Sequence, residues 1–121
     1  MMGMTMHDLM LQAAGVIAIA TAIAHGVLGE TMVFANATIE PRRLRTLIRL
    51  VWQCSTVAWL AGGVLLIAAP LVTREPARQW IVVVVAAMYA FGALANAYAT
   101  RGRHPGWMAL AVVIGLAAAG A

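Results

Sequence analysis

Charge is scarce in this chain. Only 10% of its 121 residues are Asp, Glu, Lys or Arg, against about 25% in an ordinary soluble domain. That shortage argues against a water-soluble globule, which needs polar side chains over its whole surface. Cysteine is scarcer still. Cys54 stands alone, so no internal disulfide framework can form. The recurrent signatures of soluble enzymes are missing as well. There is no glycine-rich phosphate loop, no His-Glu-x-x-His, no Cys-x-x-Cys and no Gly-x-Ser-x-Gly. With no catalytic motif, a role other than catalysis is the expectation. Basic residues are absent from the leader "MMGMTMHD", which offers only His7 and Asp8. The apolar stretch after it outruns the core of about 7–15 residues found in a secretion signal. It therefore reads as a mature span.

What the chain has is apolar length. It is 64% hydrophobic with a mean hydropathy of +0.91, and the solvent that suits such a composition is a bilayer. Four apolar stretches predict helices over 9–37, 46–72, 79–100 and 105–121. A spanning helix takes about 20 residues. The first three stretches satisfy this. The fourth is the shortest, and it spans only if the headgroup layer begins near His104. The connections "TIEPRRLRTLIR", "TREPARQ" and "RGRHPG" are short, as antiparallel neighbours require. Pro41 stops the first helix or starts the second, and Pro70 and Pro76 bracket the second connection. The expected fold is all-α: an integral membrane four-helix bundle, up-down-up-down, in one domain over 1–121.

The net charge of +4 does not point to nucleic acid, because the arginines sit at the ends of apolar runs. Arg42, Arg43, Arg45 and Arg49 oppose Glu40 in the first connection, a net of +3, and Arg101 and Arg103 mark the third. The second connection carries Arg74 and Arg78 against Glu75, a net of +1. By the positive-inside rule the first and third connections face the cytoplasm and both termini face outward. The expected location is a bacterial-type inner membrane, with the lipid bilayer as the first partner.

Polar residues inside the runs are the functional candidates. With helix one centred on about Ile23, a rise of 1.5 Å per residue puts His25 at mid-membrane and Glu30 about 10 Å nearer the cytoplasm. Gln53 on helix two and Asn96 on helix three fall at a similar level. Trp52, Thr56, Trp59 and Tyr89 lie around that layer as candidate pocket walls. The opposite half is almost purely aliphatic, as in "LLIAAPLV" and "WIVVVVAA". A carboxylate within a membrane run is expensive, and by default it marks function. Glu30 with His25, Gln53 and Asn96 is therefore a candidate ion or proton site. The alternative is that Glu30 pairs with Arg42, Arg45 or Arg49. His25 is a candidate axial ligand to haem, or a packed histidine bonded to Thr56, Ser55 or a carbonyl. One histidine is not a metal site, and no cofactor is specified. His7 and His104 lie far from His25 in expected depth.

Ala14, Ala18, Ala22 and Gly26 recur every four residues and form a stripe of small side chains. Such a stripe lets another helix approach closely. It either joins two copies in a homo-oligomer or packs within one bundle against helix two or four. In size and layout the chain resembles the small multidrug-resistance transporters. Their pattern around the acid is absent, so the residues assign no family. Three functions follow as expectations: an oligomeric proton- or cation-linked transporter or channel with its polar site in the cytoplasmic half, a non-catalytic assembly or scaffold subunit bound to a larger membrane partner, and a haem- or quinone-binding redox subunit.

Overall fold

Four helices account for nearly the whole of the computed structural model, which describes residues 3–121. They are α1 (Met6–Asn36), α2 (Arg42–Val72), α3 (Ala77–Thr100) and α4 (Gly106–Gly120). The first three are long and apolar enough to cross a membrane. The 15 residues of α4 reach only about 22 Å at 1.5 Å per residue, short of a hydrocarbon core of about 30 Å.

Local chemistry explains where the helices start. Thr5 caps α1: its hydroxyl accepts from the Asp8 N–H at 3.1 Å, and the Asp8 carboxylate accepts from the Thr5 N–H at 2.9 Å. This reciprocal box starts the helix earlier than apolar content alone suggests. Pro41, Pro76 and Pro105 each stand immediately before a helix, where a missing N–H costs nothing. Because α2 begins at Arg42, the four arginines of the first connection sit on the opening turns of α2 rather than in a loop. Pro70 lies inside the last turns of α2 and not beyond its end. The helix closes three residues later, where both the N–H and the hydroxyl of Thr73 donate to the Ala69 carbonyl. At the end of α3, Arg101 adopts a left-handed conformation (φ 53°) and the Gly102 N–H returns to the Ala97 carbonyl at 2.8 Å, a Schellman-type stop.

Each helix runs antiparallel to the next. α1 packs on both α2 and α4, α4 packs on α3, and of these neighbouring pairs α2 and α3 touch least. At one crossing Gly15 of α1 lies directly against Gly63 of α2. A Cβ on Gly15 would sit 2.5 Å from the Gly63 carbonyl oxygen, and one on Gly63 would sit 2.9 Å from that of Gly15. Two backbones in direct contact leave no room for a side chain, and in lipid such van der Waals contact is a main source of helix association. Ala14, Ala18, Ala22 and Gly26 are all buried in this interior. The small-residue stripe thus packs within the bundle. The outward face of α1 carries Val16, Ile23 and Val27 instead.

The core draws on every helix: Leu11, Leu66, Val82, Val85, Leu110 and Val113 meet in one cluster. At the end that holds both termini, Arg78 joins three helices. It contacts the Asp8 carboxylate at 2.6 Å and donates to the Gly120 carbonyl at 2.8 Å. Outside the core the helices expose Val57, Val64, Phe91, Leu94 and Val112, a belt suited to lipid and unsuited to water.

Candidate functional site

The other end of the bundle is organised by a break in α1. Over Gly29–Val33 the helix widens to a π-turn, and the Phe34 N–H donates to the Gly29 carbonyl. Such turns are short, cost helix regularity, and recur at functional sites. Gly26 and Gly29 face α2 here. A Cβ on Gly26 would meet Thr56 Cγ2 at 2.9 Å, and one on Gly29 would collide with the Trp52 indole. With no side chains in the way, α2 reaches the α1 backbone. Trp52 Nε1 donates to the His25 carbonyl at 2.9 Å and Gln53 Nε2 donates to the Gly26 carbonyl at 3.1 Å. Phe34 is buried and meets the Trp52 ring edge-on. Arg45 donates to the Phe34 carbonyl and so ties down the end of α1.

Glu30 lies within the π-turn, and all its strong partners are on α2. Arg49 grips it with two bonds, Nε to Oε1 at 3.0 Å and a terminal nitrogen to Oε2 at 2.6 Å. Gln53 Nε2 donates to Oε1 at 3.0 Å. A two-point guanidinium–carboxylate pair is the strongest geometry available to these groups. It neutralises the carboxylate that looks so costly in the sequence. Thr56 holds its hydroxyl near the Trp52 carbonyl at 3.4 Å and packs on Gly26.

His25 sits between two indoles. Its ring stacks on Trp52 with centroids 4.3 Å apart and planes 5° from parallel, and Trp59 lies 4.4 Å away at 41°. Nε2 is 2.9 Å from Ser55 Oγ. Ser55 itself donates to the Trp52 carbonyl at 2.6 Å. Tyr89 stands behind Trp59. It is fully buried, presents its edge to that indole, and donates to the Trp59 carbonyl at 2.6 Å. α3 therefore sets the position of the α2 turn that carries one wall of the site.

These residues border a cavity of about 400 Å³ at the arginine-rich end, within the range of about 300–1,000 Å³ typical of small-molecule sites. All four helices line it. α1 gives Thr21, Ala24, His25, Leu28 and Val33, and α2 gives Trp52 and Trp59. Asn96 and Thr100 come from α3, and Ala109 and Leu110 from α4. His104, in the connection before α4, lies on the rim. The Asn96 carbonyl oxygen accepts from the Trp107 N–H at 3.2 Å, and His104 Nδ1 accepts from the Gly106 N–H at 3.0 Å. Each of these side chains thus satisfies a backbone donor in the first turn of α4.

The polar layer expected from depth divides in two. Glu30, Gln53 and Arg49 form one cluster, while His25 and Asn96 line the cavity. Trp52 and Trp59 are walls, Thr56 packs beside Gly26, and Tyr89 supports Trp59 from behind. His104 is the residue that reading by depth misplaces. It shares the cavity with His25. Among the described residues, no three His, Cys, Asp or Glu side chains gather as a metal site would require.

No family model matches the chain, and no similar protein is found among curated proteins or solved structures.

Proposed function

We propose that this protein is a membrane-embedded binding protein for a small, mostly apolar molecule. The ligand enters the cavity between the four helices and presents a polar group to His25 and Asn96. The observation that carries this reading is the cavity itself: about 400 Å³, walled by two indoles and aliphatic side chains, with few polar groups. Sites that orient a ligand combine a largely apolar wall with a small number of placed hydrogen-bonding groups. By the arginine bias, the cavity lies on the cytoplasmic side of an inner membrane and both termini lie outside.

Proton- or cation-coupled transport through Glu30 has less support. Both carboxylate oxygens are occupied by Arg49 and Gln53, and Glu30 is not part of the cavity lining. An acid already held by a guanidinium is a poor carrier for a second positive charge.

Ala109 lines the cavity from α4, so Ala109→Phe fills it. Native mass spectrometry on protein extracted from membranes in mild detergent tests the reading. The expected result is a retained small molecule on the parent protein and none on Ala109→Phe. A displaceable naphthol probe should follow the same pattern. A folded parent protein that retains nothing and binds no probe overturns the proposal.

A further inference from the structure

The hydrogen count around the cavity narrows the ligand. Ser55 has one hydroxyl hydrogen, and it is committed to the Trp52 carbonyl at 2.6 Å. The 2.9 Å contact between Ser55 Oγ and His25 Nε2 then requires the ring nitrogen to donate. A neutral imidazole that donates from Nε2 keeps its lone pair on Nδ1. His25 Nδ1 has no hydrogen-bond partner among the described residues, and no side-chain nitrogen or oxygen is left buried without one. Nδ1 is therefore accessible, on a residue that lines the cavity.

The α3 and α4 side of the cavity has the reverse character. The Asn96 oxygen faces the Trp107 N–H, which fixes the amide orientation and leaves its NH₂ group as a donor without a partner among the described residues. His104 accepts through Nδ1 from Gly106, so a neutral ring carries its hydrogen on Nε2 and donates there. The α1 side of the cavity thus asks for a hydrogen, and the α3 and His104 side offers hydrogens. Trp52 and Trp59 flank His25 and wall the cavity with it, an aromatic and apolar surround suited to a flat ring.

We infer that the site takes a membrane-soluble quinol and prefers it to the corresponding quinone. This rests on the ligand-binding reading above. A quinol is a flat, neutral ring with oxygens at opposite edges. One hydroxyl donates to His25 Nδ1, and the other oxygen accepts from Asn96 or His104. The oxidised form has acceptors only, so it sets a carbonyl against the His25 lone pair and leaves that acceptor unpaired. Sites built around a hydrogen-bonding hydroxyl discriminate strongly against analogues that lack the hydrogen. No redox step is assigned to the protein; the inference concerns which form is held.

The test uses the full chain in lipid nanodiscs under anaerobic conditions. A short-chain alkyl benzoquinone and its dithionite-reduced quinol are titrated separately by calorimetry. The quinol should bind about tenfold more tightly, the ratio expected when one buried hydrogen bond is made or lost. His25→Phe should remove the difference by lowering quinol affinity to the level of quinone. Equal affinities in the parent protein overturn the inference, and that comparison needs no variant. A preference that survives His25→Phe also overturns it. If neither form binds but the naphthol probe still does, the ligand class is wrong while the binding reading stands. If the probe fails as well, both fall.

Discussion

The half of the bundle that holds the chain termini and the half beside the arginine-rich connections are held together by different forces. The terminal half is backbone and aliphatic contact: Gly15 on Gly63, Leu11, Leu66, Val82, Val85 and Val113 in one cluster, with Arg78 closing the end on Asp8 and Gly120. The other half is joined by side chains reaching backbone: Trp52 and Gln53 to α1 carbonyls, Tyr89 to the Trp59 carbonyl, Asn96 to the Trp107 N–H. Within that aliphatic cluster, close packing leaves little void. In the other half side chains rather than backbone contacts join the helices, and the cavity lies among them. The division assigns stability chiefly to one half and binding to the other.

That division can be broken residue by residue. The largest effect should come from Gly63→Leu, which drives a side chain into the Gly15 backbone and Ile19. Overpacking of this kind costs about 3 kcal/mol, and the expected readout is loss of folded protein in fluorescence-detected size-exclusion chromatography. Leu66→Ala comes next. Leu66 is fully buried, and the void it leaves should cost about 2 kcal/mol, measured as a lower thermal midpoint with the oligomeric state unchanged.

Tyr89→Phe sharpens the boundary between the halves. It removes one hydrogen bond to the Trp59 carbonyl and keeps the ring, so about 1 kcal/mol should be lost. The tryptophan emission should also shift as Trp59 loosens. Glu30→Gln should have the smallest effect. Arg49 and Glu30 lie on the outer surface at the arginine-rich end, where by the positive-inside rule the pair meets headgroups and water and contributes little, and an amide oxygen still accepts from Gln53. The thermal midpoint should stay nearer the parent than that of Tyr89→Phe. A collapse of the fold in Glu30→Gln would show that the pair carries more of this half than its exposure implies.

The helices were legible in the sequence because each is a long apolar run bounded by arginine or proline. Thr5 and Asp8 carry a capping signal that apolar content overlooks, and α1 begins at Met6, directly after Thr5. The contact of His25 with Ser55 was among the options that residue types allow. The burial of the Ala14–Gly26 stripe by the chain's own helices was also one of two options. Depth counting knows a residue's height in the membrane but not its direction around the helix. It therefore grouped Asn96 with Glu30, although Asn96 turns to α4 and Glu30 to α2. The π-turn has no signature in composition. His104 belongs to the third connection, whose fold across the bundle end apolar spacing does not encode, and it lines the cavity with His25.

Ligand retention and thermal midpoint, measured together on Ala109→Phe and Leu66→Ala, test the division of labour most directly. Ala109→Phe should lose the retained molecule while keeping a midpoint close to that of the ligand-free parent. Leu66→Ala should retain the molecule while its midpoint falls. A Leu66→Ala protein that unfolds no earlier than the parent, or an Ala109→Phe protein that still retains the molecule in full, would contradict the account.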